Sequence, residues 1–204
     1  MSIVLLRHGE TALNAARVLQ PADTPLSARG LAQARAAART LATRRIAAIV
    51  SSDLPRAWQT AGAVAQVAGL EISPEPLLQE RNFGDLRGRP YDTLGFDPLA
   101  MDAAPPGGES LEDFRARVEA AFGRLVARRA ALHGDLVVVS HGLVIHAILA
   151  AHGCLDATMA LPQRIGNASI TVLTAEPPYR VTLLDDVGHL HGIALDDPAS
   201  LSGG

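Results

Sequence analysis

The 204-residue chain is 48% hydrophobic and carries 18 basic against 21 acidic residues, a formal net charge of −3. That length suffices for one well-buried α/β domain, and without an excess of positive charge a general grip on nucleic acid or an anionic membrane is excluded. Cys154 is the single cysteine, which excludes an internal disulfide framework and fits a reducing, cytoplasmic setting; between Gly153 and Leu155 it reads as packing.

Met1-Ser2 leads directly into the first apolar run, so no secretory signal is expected. That run, Ile3 to Leu6, ends in Arg7-His8-Gly9-Glu10-Thr11. A short apolar run stopped by glycine suits a strand covered on both faces, and in open α/β sheets ligands bind at the carboxyl ends of such strands. Asn14 to Thr24 reads as a loop or short helix. Ser27 can cap a helix running to about Thr43, with Leu31, Ala34, Ala38 and Leu41 on the buried side and Arg29, Arg35, Arg39, Arg44 and Arg45 on a solvated face.

A second strand, Ile46 to Val50, is followed by Ser51-Ser52-Asp53 and a helix from about Pro55 to Ala68, with proline in its first turn and Gly69 as its stop. Arg56 sits at the start of that helix, where unpaired amides already favour an anion. Leu70 to Ile72 reads as a short strand. Residues 73–109 are irregular and rich in Pro and Gly, and they hold Glu80, Arg81, Asp85, Arg87, Arg89, Tyr91 and Asp97. A connection of that length points to function, and we read it as a lid-like insertion carrying an acid over the strand ends.

Ser110 and Asp113 form a capping pair for the helix Leu111 to Leu132, ended by His133 and Gly134. Leu136 to Val139 is the third buried strand, followed by Ser140-His141-Gly142 and a short helix, Leu143 to His152. The polar residues 140–142 and His146 break this apolar region, which is therefore no membrane span. His146 and His152 read as structural. Ser169 to Thr174 and Tyr179 to Leu184 read as an edge hairpin before an acidic tail, Asp185 to Gly204, in which the pair His189 and His191 is too small a set to argue for metal.

Three strand ends thus supply two histidines and two arginines to one rim, with Glu80 or Asp85 as a nearby acid. Arginine binds phosphate oxygens in a fork and stays charged. A neutral imidazole can attack phosphorus in line, and the leaving alkoxide then needs a proton from a carboxyl whose pKa the pocket has raised. Each tripeptide is a weak signal by itself; their repetition after apolar strands makes the joint reading.

Taken together, Leu6 to Thr11, Asn14, Asp23 to Ser27, Ser51 to Ala57, Gln59 to Ala61, Leu78 to Arg81, Gly84, Gly107 to Ser110 and Ser140 to Gly142 resemble the histidine phosphatase superfamily, and more narrowly its phosphoglycerate-mutase-like branch, over residues 3 to about 190. The resemblance implies that His8 is the nucleophile and forms a phosphohistidine. It implies that Arg7, Arg56 and His141 bind the transferring phosphoryl group, with Asn14 and the Gly142 amide lining its pocket. Glu80 matches the proton donor, ahead of Asp85. No metal and no cofactor are implied. The fold expected is a three-layer α/β/α sandwich with a mostly parallel central sheet and one antiparallel edge strand, as one domain over 1–204.

This chain has Pro21-Ala22 after Gln20 where relatives usually have Gly and an aromatic residue, and Leu143 where mutases tend to have Asn after the second His-Gly. Both departures fall on the substrate side. Gln20, Arg81, Arg87 and Arg89 are the candidates there, the arginines either reading a second anion or serving as lid-surface charges. The expected activity is a metal-independent phosphomonoesterase of the histidine acid-phosphatase type, acting in the cytoplasm on a small phosphorylated metabolite. A cofactor-dependent phosphoglycerate mutase is the first alternative, a non-catalytic phosphate binder the second, and a metal hydrolase using His8, His141 and Asp53 the third. Nucleic acid and membrane are not expected partners; a homodimer is left open.

Overall fold

A computed structural model of the chain describes residues 1–193. The buried apolar runs form the strands β1 (Ser2–Arg7), β2 (Ile46–Ser51) and β4 (Asp135–Ser140), with β3 (Ile72–Pro74), β5 (Ile170–Thr174) and β6 (Val181–Asp186) completing one six-stranded sheet in the order β3-β2-β4-β1-β5-β6. Strands β3, β2, β4 and β1 are mutually parallel, and β5 is antiparallel to both β1 and β6. The reversed strand therefore lies one place in from the edge, because its hairpin partner β6 covers its outer side. Strand β3 also sits two residues later than its apolar run suggests, since it needs only to pair with Ile49 to Ser51.

Helices α2 (Ala28–Leu41) and α3 (Pro55–Ala68) cover one face of the sheet, and α4 (Leu111–Ala130) and α5 (Gly142–His152) the other; a single turn, α1 (Ala12–Ala15), follows β1. Successive strand residues point to opposite faces. Ile3, Leu5, Leu136 and Val138 accordingly pack with α4 and α5, while Val4, Leu6, Val137 and Val139 pack with α2 and α3. Both sets are buried, which is why these strands read as unbroken apolar runs. The expected three-layer α/β/α sandwich is observed.

Helix caps follow the local chemistry. Ser27 accepts from the Gly30 amide at the start of α2, and Ser110 from the Asp113 amide at the start of α4. Gly69 closes α3 in the left-handed region at φ 64°, which costs glycine nothing. Two details in and just after α2 differ from the expected pattern. Leu31 is exposed and Ala37 takes its place in the core. Arg29 and Arg44 are ion-paired, with Glu10 at 3.0 Å and Asp135 at 2.7 Å.

The insertion after β3 is built from short 3-10 turns, Pro76–Leu78, Gly84–Leu86, Tyr91–Thr93 and Pro98–Ala100. A small apolar cluster of Leu19, Phe83 and Tyr91, with Leu99 and Leu143 against it, holds it to the sandwich. The Arg117 guanidinium pins both ends of its stem, donating to the Leu77 and Gln79 carbonyls at 2.8 Å and pairing with Glu109. Among the described residues no helix is long and apolar enough to cross a membrane. Of the acidic tail, residues 194–204 lie outside the described residues; its first part instead extends β6 and forms a 3-10 turn, Gly188–Leu190.

Candidate active site

The register of the sheet brings the three polar strand ends together. Arg7 pairs with Ser140 and Ser51 with Val139, so the residues that follow, His8, Ser52 and His141, emerge side by side. The His8 amide donates to the Ser140 carbonyl at 3.0 Å and the Ser52 amide to that of Val139 at 3.0 Å, extending the ladder past the last apolar residue. The ring centroids of His8 and His141 lie 5.2 Å apart.

A hydrogen bond fixes the tautomer of the His8 ring. The Gly9 carbonyl, 2.7 Å from His8 Nδ1, can only accept, so Nδ1 carries the proton and Nε2 the lone pair. His8 Nε2 is buried without a protein partner. His141 Nε2 lies 2.8 Å from Ser52 Oγ, and the Leu54 amide donates to that oxygen at 3.3 Å. The serine hydroxyl can donate to Nε2 or accept from it, and His141 Nδ1 is buried without a protein partner. Burial, followed by the Arg7 and Arg56 charges, holds the His8 pKa well below its ordinary 6.5; burial and then Arg56, His8 and Arg7 do the same for His141. Both rings are neutral near pH 7.

Arg7 and Arg56 are buried beside them. The Arg7 guanidinium donates to the Ile165 carbonyl at 2.5 Å. Arg56 reaches the Pro21 carbonyl at 3.4 Å, and its Nε has no protein partner. Burial draws the Arg56 pKa down to about 10, against the Glu80 charge, which leaves it protonated at neutrality.

Glu80 is the acid of the site. It is buried, and its two carboxyl oxygens accept from the Arg81 amide at 3.0 Å and the Leu143 amide at 3.2 Å. Burial raises its pKa above the ordinary 4.5, with those amides and the Arg56 and Arg7 charges pulling the other way. Asp85 is exposed on the insertion and does not compete. Asp53 is exposed too and accepts from Gln79 at 2.7 Å, so it does not join the two histidines as a ligand set. Among the described residues no group of three His, Cys, Asp or Glu could hold a metal ion.

The remaining candidates divide. Asn14 is buried in a capping box with Thr11, its Oδ1 accepting from the Thr11 amide at 3.3 Å. Gly142 opens α5 directly after His141. Gln20 is buried and accepts from the Thr11 hydroxyl at 2.7 Å, which places it behind the nucleophile loop. Arg81 is buried, donates to the Met101 carbonyl at 2.6 Å and lies over the Phe83 ring, so it is no lid-surface charge. Arg87 is half-buried and close enough to Arg56 to lower its pKa, whereas Arg89 stays exposed.

A collar at residues 165–169 was not foreseen. Besides the Ile165 carbonyl that holds Arg7, the Ala168 amide and Asn167 Nδ2 donate to the His8 carbonyl at 3.0 and 3.1 Å, and Ser169 accepts from the Arg7 amide at 3.2 Å. Asn167 also reaches Asn14 Oδ1 at 3.3 Å, and Ala168 takes a left-handed φ of 55°, a strained backbone of the kind found at functional sites. On the opposite side, Thr60 of α3 accepts from the Gly9 amide at 3.1 Å. The nucleophile loop also lies against the first turn of α2: a Cβ on Gly9 would come 2.4 Å from the Gly30 carbonyl oxygen, and one on Gly30 2.0 Å from that of Glu10. Only glycine fits at either position.

The assembled site gathers the buried guanidiniums of Arg7 and Arg56 and the rings of His8 and His141 beside a buried carboxyl, Glu80, whose pKa is raised. The profile of the histidine phosphatase superfamily (branch 1) matches residues 3–184. The probable phosphoglycerate mutase GpmB of Proteus mirabilis is 32% identical over 213 residues, covering 97% of this chain and 98% of its own. The mycobacterial glucosyl-3-phosphoglycerate phosphatase Rv2419c, solved in complex with VO3, superposes with a TM-score of 0.72 at 35% identity over 85% of this chain and 90% of its own. The α-ribazole phosphatase of Shigella flexneri gives a TM-score of 0.77 at 25% identity over 91% and 96%. With a family match spanning most of its length and these likenesses beside it, the chain belongs to the histidine phosphatase superfamily, branch 1.

Proposed function

We propose that the protein is a metal-independent phosphomonoesterase that hydrolyses small phosphorylated metabolites through a phosphohistidine on His8. The observation that carries this reading is the buried, unpartnered Nε2 of His8, with its lone pair free and two arginines beside it. In the first step Nε2 attacks phosphorus in line. The bond from phosphorus to the leaving oxygen breaks, and that oxygen takes the proton of Glu80. Arg7, Arg56 and His141 stabilise charge on the equatorial oxygens. In the second step the Glu80 carboxylate accepts a proton from water, whose oxygen attacks phosphorus as the P–N bond breaks. Phosphate leaves, and His8 and Glu80 return to their starting states.

The test is phosphate release from a panel of monoesters in excess chelator, alongside His8→Ala. Release that persists in chelator and is lost in the variant supports the reading; release abolished by chelator overturns its metal-independent part. A second reading has a specific observation behind it: the Proteus mirabilis relative is named a probable phosphoglycerate mutase. A mutase must keep water from the phosphoenzyme, and a modest insertion of short turns favours hydrolysis. Conversion of 3-phosphoglycerate to 2-phosphoglycerate in the presence of bisphosphoglycerate, faster than phosphate release, would decide for the mutase.

A further inference from the structure

The Arg7 guanidinium rests on a peptide group that a carboxylate grips from the other side. Arg7 Nη1 donates to the Ile165 carbonyl at 2.5 Å, and the N–H of that same peptide, on Gly166, donates to Asp185 Oδ1 at 2.8 Å. Guanidinium, peptide and carboxylate thus form one line of hydrogen bonds, in which each bond polarises the next. Asp185 belongs to β6, and the sequence offers it only as the first residue of an acidic tail.

The sheet departs from regular pairing to put that carboxylate there. Ile170 pairs with Asp186 but Val172 with Leu183, so Leu184 and Asp185 of β6 stand opposite Thr171 alone. Such a bulge re-aims a side chain, and bulges are frequent next to active sites. Asp185 takes a left-handed φ of 47°, uncommon for any residue but glycine although aspartate and asparagine tolerate it, and its amide donates to the Thr171 hydroxyl at 2.9 Å. Burial raises the Asp185 pKa, and the Arg7 charge is among the influences that lower it. A left-handed backbone and a half-buried carboxyl both oppose folding, and the contact that they make possible is the one to the Gly166 amide.

We propose that Asp185 is a positioning residue for the reaction: through the Ile165–Gly166 peptide it fixes the Arg7 guanidinium in the orientation that meets the transferring phosphoryl group. The inference rests on the phosphomonoesterase reading, in which Arg7 binds the phosphoryl oxygens, and adds to it a residue that touches no reacting atom. A guanidinium fork is most demanding of geometry where charge builds up, in the transition state. Loss of the Asp185 carboxylate therefore lowers kcat and leaves KM nearly unchanged.

The measurement is kcat and KM of the full-length enzyme for p-nitrophenyl phosphate, with vanadate affinity by calorimetry alongside, in Asp185→Gly and Asp185→Asn. Both variants accept a left-handed backbone, but only asparagine keeps an oxygen for the Gly166 amide. Asp185→Gly should lower kcat by about tenfold or more, keep KM within about threefold, and weaken vanadate by about tenfold or more. Asp185→Asn should stay within about threefold of wild type in all three. In an Arg7→Ala background Asp185→Gly should change kcat by less than about threefold, since nothing is left to position, whereas a general loosening of the fold would lower kcat in both backgrounds. A loss of less than threefold in Asp185→Gly, an equal loss in Asp185→Asn, or an undiminished effect of Asp185→Gly without Arg7 would overturn the assignment while leaving the phosphatase reading intact. Absence of phosphate release by wild type, with vanadate still held equally by wild type and Asp185→Asn and more weakly by Asp185→Gly, would overturn that reading and leave Asp185 as the residue that positions Arg7 on an anion.

Discussion

The two ends of the site are built differently. At the strand tips the groups are buried: backbone carbonyls lie 2.5 Å from the Arg7 guanidinium, 2.7 Å from the His8 ring and 3.4 Å from the Arg56 guanidinium, and Ser52 lies 2.8 Å from the His141 ring. At the insertion the chain runs in short 3-10 turns, with Arg87 half-buried and Arg89 exposed. The first arrangement leaves little freedom: a shift in any strand tip would move His8 relative to Arg7 and His141. The second tolerates change, because loops carried by a rigid scaffold can vary without disturbing it. The proposed function sets the chemistry at the rigid strand tips and substrate choice at the variable insertion.

The largest effects should come from the rigid end. His8→Ala removes the nucleophile, and we expect kcat to fall by about 10⁴-fold or more, read by phosphate release. Arg56→Ala should cost about 10²–10³-fold in kcat, since it removes charge stabilisation that forms in the transition state. Were KM alone to change, Arg56 would be a ground-state binder and the division of labour above would fail. Glu80→Gln should lower kcat/KM, which reports phosphoenzyme formation, by about 10²–10⁴-fold with alkyl phosphates and far less with p-nitrophenyl phosphate, whose leaving group needs no proton.

The same two groups set the pH profile. His8 reacts only as the neutral ring, and its pKa lies well below 6.5, so activity should persist as pH falls below 6.5 and decline only through that lowered value. Glu80 donates only when protonated, and its raised pKa means that activity declines as pH rises through a value above 4.5. Glu80→Gln should abolish the basic limb of kcat/KM for alkyl phosphates and leave the acidic one. Persistence of the basic limb would assign the proton to another group.

Smaller effects mark the boundary between the ends. Asn167→Ala leaves the buried His8 carbonyl with one donor fewer and should lower unfolding free energy by about 1–3 kcal/mol, measured from urea midpoints. Arg89→Ala is the control on the exposed side: stability should stay within about 0.5 kcal/mol of wild type, and kcat/KM within about twofold. A tenfold loss there would bring Arg89 back into the substrate side.

Much of the rigid end is legible in the order of residues. Apolar runs that stop at Arg-His-Gly, Ser-Ser-Asp and Ser-His-Gly announce buried parallel strands with polar tips, since a strand covered on both faces must be apolar until it leaves the sandwich. Pro55 and Gly69 bracket α3 as local rules require, and Ser27 and Ser110 cap their helices. These are short-range effects, decided within a few residues by backbone sterics and local hydrogen bonds.

What the sequence by itself determined, then, is the order of the main strands and helices, the three polar strand tips with His8, Arg7, Arg56 and His141 on or beside them, and a choice of acid between Glu80 and Asp85 that only the resemblance narrowed to Glu80. Only the tertiary structure decided that β5 is the reversed strand inside β6, that residues 165–169 clasp the end of β1 from more than 150 positions away, and that Arg81 is buried while Arg89 is exposed. Three arginines within nine residues of one irregular segment look alike in a string. Their environments differ because α4 and α5 pack against one part of that segment and solvent against another, and no local pattern encodes which part that will be.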